Sequence, residues 1–373
     1  MTTKKTIAID ASPLLYPGMG VWRVTRALLE ALSKRDTPYA FKFFARQLRA
    51  HSPLGEFAGK PVQRVRFSRG MAELGRPLGL NELCVPADFY HATNHYLPLK
   101  RSSKAVVTIH DLIFLIAPEA HFAETHDFFA RKVPAFARSC ARIIAISEST
   151  RADIVERLKV PAERIDVIPW AVDKKIFSPV VDASALRERL KRAHGIDDPY
   201  FFAVSCSEGR KNTPRVLEAF ARFAEKNPRH HLVVRWNCPA EIKARFQRGN
   251  LAQSIHFCAP VDDEGLADLY RGAAAMIFPS LYEGFGLPIL EAMSCGTPVI
   301  TARNSSLPEV AGAAARYVDP VEVDSIVEAF EDFENDTLRV RDLREMGLVQ
   351  AEKFSWEQTA RMTLACYAKA FNL

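Results

Sequence analysis

Two carboxylates, Glu283 and Glu291, stand eight positions apart around a pair of glycines, Gly284 and Gly286. The stretch before them, Ala275–Phe278, is short and apolar and reads as a strand; Leu287–Cys295 reads as a helix, with Pro288 in the first turn, where a missing N–H costs nothing. Glycines at such a strand-to-helix turn let the backbone approach a ligand closely, and the N–H groups of the helix start point toward it. That is an anion site of a size that suits a diphosphate. Carboxylates would repel the phosphate itself, so Glu283 and Glu291 make better sense as acceptors for hydroxyls, one on a sugar and one on a ribose. A second loop, 207–212, follows an apolar run at Tyr200–Ser205 and carries adjacent cations, Arg210 and Lys211, suited to a departing diphosphate. His110 ends the buried run Ala105–Ile109, where a histidine is often a satisfied core residue. Gly18 and Gly20 lie between a strand at Thr6–Asp10 and a helix at Val21–Leu32, a weak phosphate-loop signal alone.

These loops need a scaffold that puts strand ends and helix starts side by side. The runs Ala105–Ile109 and Arg142–Ile146 are continuously apolar, as strands covered on both faces must be. Arg164–Ile168 follows as a strand, and then an irregular stretch from Pro169 and Trp170 to Pro179 reads as a linker. Beyond it the alternation restarts with strands at Tyr200–Ser205, His231–Arg235, Ser254–Phe257, Ala275–Phe278 and Pro298–Thr301. Helices at Pro214–Lys226, 240–248, Asp263–Ala273 and Leu287–Cys295 separate them. The prediction is α/β: two facing Rossmann-like domains with parallel sheets, 1–176 (joined by a C-terminal helix 356–373) and 177–355, and an inter-domain cleft that gathers the loops.

Bulk composition narrows the class. At 373 residues, with 48% hydrophobic and 25% charged side chains, the chain has the balance of a globular protein of about two domains. No apolar run approaches a bilayer span, and no signal-peptide core follows Met1, so a cytoplasmic location is expected. The seven cysteines, Cys206 among them, are scattered without a Cys-x-x-Cys and read as free thiols. Lys and Arg outnumber Asp and Glu in residues 1–176 and are outnumbered in 177–373. The excess centres on 42–76, where Lys42, Arg46, Arg49, Lys60, Arg64, Arg66, Arg69 and Arg76 are interleaved with Phe41, Phe43, Phe44, Phe67 and Leu74. That region is expected either to meet an anionic membrane surface or a polyprenyl-diphosphate acceptor, or to be a basic solvated face. No nucleic-acid motif or aromatic platform accompanies it, so no nucleic-acid partner is expected. The acidic cluster Asp332, Glu334 and Asp336 reads as a helix face or its end, and no Asp-x-Asp is present to hold a metal.

The run from Glu283 to Val299, with Glu283-Gly-Phe-Gly-Leu-Pro and then Glu291-Ala-Met before Cys295-Gly-Thr-Pro-Val, resembles the E-x7-E signature of the retaining family 4 glycosyltransferases with the GT-B fold. The likeness extends through Leu307–Gly312, Val167–Asp173 and Phe354–Trp356, and within the family it is nearest to bacterial mannosyltransferases of O-antigen and exopolysaccharide assembly. The resemblance implies that Glu283 contacts donor-sugar hydroxyls and Glu291 the ribose. It implies that the amides of Gly284, Phe285, Gly286 and Leu287 hold the sugar and distal phosphate, and that Arg210 and Lys211 neutralise the β-phosphate. It further implies that His110 reaches the donor sugar and that Gly18 and Gly20 lie against phosphate and acceptor. Glu309 supports the glutamate loop or serves as a cap, and His91 and His95 are expected to pack. The implied activity is retaining, metal-independent transfer of mannose or a related 6-deoxyhexose from a nucleotide sugar, GDP-linked first and UDP-linked second. The implied acceptor is a saccharide or lipid-linked saccharide, and no cofactor is needed. A nucleotide-sugar epimerase and a silent binding subunit are the alternatives. The chain departs from the family at Ser205, where glycine is usual, and at Trp236, where a glycine-containing loop is usual; both positions lie near the expected nucleotide.

Overall fold

The computed structural model describes residues 4–48, 55–57, 59–117, 123–197, 199–205, 209–246 and 251–372. Arg49, Cys206, Ser207, Glu208 and residues 247–248 of the expected helix lie outside the described residues. The chain divides into two compact units, 1–171 with 355–373, and 172–354. From sequence the junctions were expected at 176/177 and 355/356.

The first unit is built on one sheet. Its strands are β1 (Lys5–Asp10), β2 (Tyr39–Arg46), β3 (Glu56–Phe57), β4 (Lys60–Val65), β5 (Phe89–Ala92), β6 (Ala105–Ile109), β7 (Arg142–Ala145) and β8 (Ile165–Val167). They run in the order β3-β4-β2-β1-β5-β6-β7-β8, and only the two-residue β3 is antiparallel to its neighbour. Every residue of β6 and β7 is buried, as their apolar runs require. The helix Trp356–Phe371, capped by Ser355 accepting the N–H of Gln358, returns to this unit and sinks Ala360, Cys366, Tyr367 and Ala370 into its core.

The second unit carries β9 (Tyr200–Val204), β10 (His231–Arg235), β11 (Ile255–Cys258), β12 (Ala275–Phe278), β13 (Val299–Ala302) and β14 (Ala315–Val318), all parallel, in the order β11-β10-β9-β12-β13-β14. Phe201, Phe220, Phe223 and Phe330 meet edge-on or tilted at its centre. Strand order reverses between β9 and β12, and in the first unit between β1 and β5. The loops leaving those strands diverge there and open a crevice beyond the carboxyl ends.

The basic stretch 42–76 is corrected in part by the fold. Phe41, Phe43, Phe44 and Phe67 are 6, 1, 0 and 5% exposed, so they fill the core and are not available to a membrane. Within β2 the pattern is that of a strand whose exposed Lys42 sits between buried phenylalanines. Leu74, by contrast, is exposed. The acidic cluster ends the helix Val323–Asn335; Asp332 pairs with Arg316 at 2.7 Å, and Asp336 caps the next helix, Thr337–Ala351.

Candidate active site

The reversal point of the second unit fixes two loops against each other. After β9, Gly209–Lys211 form a 3-10 turn and Asn212, in a left-handed conformation (φ +58°), starts the helix Thr213–Lys226. After β12, Pro279–Gly286 lead into the helix Leu287–Ser294. The amide of Leu281 donates to the Arg210 carbonyl at 2.8 Å, and buried Asn212 donates its side-chain amide to the Pro279 carbonyl at 3.1 Å. Lateral pairing of β9 with β12 makes this lacing possible, because it brings residues 72 apart in sequence to adjoining strand ends.

Arg210, Lys211 and Glu283 meet there. Glu283 Oε1 lies 2.7 Å from Lys211 Nζ, and its Oε2 lies 2.7 Å from Arg210 Nη1. The Ser280 hydroxyl is 2.7 Å from Glu283 Oε1 and 2.8 Å from the Arg210 carbonyl. Lys211 also stands 4.5 Å over the Phe278 ring. Burial alone would raise the Glu283 carboxyl, but the charges of Lys211 and Arg210, with hydrogen bonds from Lys211 and Ser280, overcome it and hold the group down at about 2. One carboxylate between two cations leaves a buried net positive charge, which is what a phosphate group needs.

The loop itself is held from β13. The Ser305 hydroxyl accepts the N–H of Glu283 at 3.1 Å, and the Ser306 hydroxyl lies 2.8 and 2.7 Å from the carbonyls of Glu283 and Phe285. Asn304 donates its side-chain amide to the carbonyls of Ser280 and Leu281, both at 3.2 Å. Sequence inspection missed Ser280 and these three residues. The polar triplet Asn304-Ser-Ser, one residue beyond a buried strand, was the available signal, since such residues bond to nearby backbone and not to the core.

Gly286 has φ +119° and caps the helix Leu287–Ser294, a conformation in which a side chain would be strained; a Cβ there would also stand 3.3 Å from Leu307. Phe285 is buried edge-on against Phe354, so only its backbone can meet a ligand. Glu291 is buried in the second turn of the helix and accepts the Tyr270 hydroxyl at 2.9 Å. Glu309 lies in the short helix Leu307–Ala311, its N–H donating to the Ser306 carbonyl.

Both departures from the family pattern have local partners. The Ser205 hydroxyl bonds to that of Thr213, tying the end of β9 to the start of the following helix. The Trp236 indole is 8% exposed and belongs to the core with Cys238 and Phe246, so its bulk is absorbed inward.

In the first unit, Gly18 has φ +86° and Gly20 opens the helix Gly20–Ser33, just after β1. His91, on β5, is bonded through both ring nitrogens, to Tyr367 Oη at 2.7 Å and Thr108 Oγ1 at 2.8 Å. His95 is buried with its ring edge-on to that of His110, centroids 5.1 Å apart. His110, at the end of β6, lines a small cavity with Thr25, Thr93, Thr108 and Thr359, and packs 4.9 Å from Trp170. Neither of its ring nitrogens makes a hydrogen bond of normal geometry, and the cavity that the ring borders is lined as much by Val24, Leu28, Ile144 and Ile168 as by threonines.

Burial, reinforced by neighbouring histidines, lowers both His91 and His110 to about 3. Each is therefore neutral in the fold at physiological pH and takes up a proton on unfolding below the ordinary value of 6.5. Their contribution is complete above that value and is lost as pH falls from about 6.5 toward 3. The thermal midpoint is expected to drop over that interval, and imidazole resonances of His110 should stay neutral from pH 8 to 5; a midpoint in that range would contradict the buried, uncharged ring.

Two family models match the sequence. One described as glycosyl transferases group 1 matches residues 187–348, and one described as glycosyltransferase family 4 matches residues 19–175. The O-antigen chain mannosyltransferase B of Escherichia coli is 33% identical over 286 residues, covering 74% of this chain and 73% of that protein. The chain belongs to the family 4 glycosyltransferases. A further relative in the family, the serotype-specific mannosyltransferase WbdA of Escherichia coli, is 31% identical over 275 residues; the match covers 71% of this chain but only 33% of that longer protein. Among solved structures, the sucrose-phosphate synthase of Thermosynechococcus elongatus superposes with a TM-score of 0.75 at 21% identity, covering 99% of each chain, a likeness of fold. The two parallel-sheet α/β units of this glycosyltransferase are those of the GT-B class.

Proposed function

We propose that this family 4 enzyme transfers mannose or a related 6-deoxyhexose from a GDP-linked donor to a saccharide or lipid-linked saccharide acceptor in cell-surface polysaccharide assembly, with retention of configuration and without a metal. The observation that carries the reading is the buried Arg210–Glu283–Lys211 cluster at the β9/β12 reversal, beside the Gly286 helix start. The mannosyltransferase relatives support the choice of sugar.

In this reading the donor diphosphate lies against Arg210, Lys211 and the start of the helix Leu287–Ser294, which supply the positive charge. Glu291 receives the ribose and Glu283 the sugar hydroxyls. Glu283 is clamped by two cations and a serine, which makes it a poor nucleophile. A same-face substitution fits better: the acceptor oxygen bonds to the anomeric carbon as the bond from that carbon to the diphosphate oxygen breaks. The acceptor proton passes to the departing diphosphate.

The test is a thermal-stability titration with GDP-, UDP-, ADP- and dTDP-sugars, with and without EDTA. Selective stabilisation by GDP-mannose, unchanged by EDTA, supports the donor and the metal-free site. Selective stabilisation by a UDP-hexose would replace the donor, and no response to any of them would sink the reading. Trapping a covalent glycosyl-enzyme would overturn the same-face step.

A further inference from the structure

A helical run in the first unit has an inner side that folding uses and an outer side that it does not. Ser68 caps the helix Arg69–Leu74 by accepting the Met71 N–H at 3.2 Å; a 3-10 turn, Arg76–Leu78, and the helix Leu80–Cys84 follow. Gly75 lets the run fold back on itself, since a Cβ there would stand 2.7 Å from the Leu80 Cβ. Ala72, Asn81 and Val85 face inward and are buried, Asn81 donating its side-chain amide to the Pro98 carbonyl. On the outer side Met71, Leu74, Leu78 and Leu83 are 47, 84, 77 and 71% exposed. Single exposed leucines are ordinary, but four large apolar side chains within thirteen positions make a patch, and nothing inside the fold needs them.

Exposed cations lie within this run and in the segments next to it. Arg66, Arg76, Lys100, Arg101 and Lys104 are exposed. Lys100 and Arg101 are tied to the run because their backbone N–H groups donate to Glu82 Oε1 at 2.7 and 3.2 Å, and the Lys100 side chain passes 3.6 Å from where a Cβ on Gly79 would be. The acids of the segment are engaged: Glu73 is paired with Lys132 at 2.7 Å, and Glu82 holds the 100–101 loop.

We propose that this face seats on an anionic lipid bilayer, with Leu74, Leu78 and Leu83 entering the headgroup–acyl boundary and the surrounding cations meeting lipid phosphates. Protruding leucines accompanied by exposed cations complement an anionic interface, where apolar side chains enter and long basic ones stay at headgroup level. The surface keeps Arg66, Leu74 and Arg76 of the basic stretch 42–76 but not its buried phenylalanines, and it is independent of the donor reading, because vesicle binding is measured without transfer.

The full chain would be sedimented with vesicles of phosphatidylcholine alone or of equal parts phosphatidylcholine and phosphatidylglycerol, at low and high salt. Binding to the anionic vesicles that weakens with salt is expected. The double variant Leu74→Ser with Leu78→Ser should lower the partition coefficient about tenfold or more, and Arg76→Gln with Lys100→Gln should lower it by a similar factor. All these positions are exposed, so the thermal midpoint should not move. Absence of binding to anionic vesicles, or equal binding by the leucine variant, overturns the proposal. So does a self-association of the native chain that the leucine substitutions abolish, which would assign the face to a second copy.

Discussion

Lys211→Ala is expected to lower the transfer rate at saturating donor by about 10²–10³-fold, the effect of removing one preorganised charge from a water-poor site. The ammonium is 11% exposed and bonded to a carboxylate that is 9% exposed, so its loss leaves Glu283 with Arg210 alone. The carboxyl then moves up from about 2, because Lys211 is the larger of the two charges opposing burial. Stability should fall by about 3 kcal/mol, the low end for breaking a buried pair, since one cation remains. Initial rates over a range of donor concentrations, with chemical denaturation alongside, measure both effects. A variant with full rate and intact stability would show that Lys211 is a surface charge.

Glu283→Gln separates the other half of the cluster. Transfer should again fall by about two orders of magnitude, but nucleoside diphosphate should bind at least as tightly, because Lys211 and Arg210 are released from their carboxylate. The pH profile supplies the second readout. In the native chain the Glu283 carboxyl is held at about 2 against an ordinary 4.5, so the folded state resists protonation more than the unfolded state does. Its stabilisation is complete above about 4.5 and is lost as pH falls toward 2, an effect of a few kcal/mol. The glutamine variant lacks this slope, so native and variant stabilities should converge between about pH 5 and 2. The histidine contribution is common to both chains and cancels in the difference. Parallel profiles would mean that the glutamate does not feel the two cations.

Five of the six strands of the second unit could be placed from sequence, most of them as runs buried on both faces, while the half-buried edge strand β14 was missed. His231–Arg235 and Ala275–Phe278 agree to the residue, and Tyr200–Val204 ends one residue short of the expected run. In the first unit β2 was hidden: Lys42 and Arg46 make it look like a basic surface, although Phe41, Phe43 and Phe44 are all buried in the core. β5 was hidden by Tyr90 and His91, whose polar atoms are satisfied by Val85 in one case and by Thr108 and Tyr367 in the other. A local window cannot show a partner 276 positions away. The same limit applies to the site. Arg210, Lys211, Glu283 and the Gly286 turn were readable as loops that could bind a diphosphate, but their convergence on one carboxylate follows from lateral strand order, which no spacing encodes. Asn304–Ser306 were passed over because hydroxyl-to-backbone bonds leave no charge pattern to notice.

The helix Trp356–Phe371 packs against a sheet whose first strand is made some 350 positions earlier. During synthesis the first unit must therefore wait, with Tyr39 and Phe89 lacking the Phe371 ring and His91 lacking its Tyr367 hydroxyl, until all of the second unit has left the ribosome. The second unit, continuous from 172 to 354, has no such wait and can close while the first is still open. Nascent chains stopped anywhere before the last helix should accordingly be the protease-sensitive ones, with cleavage falling in the amino-terminal half that was made first.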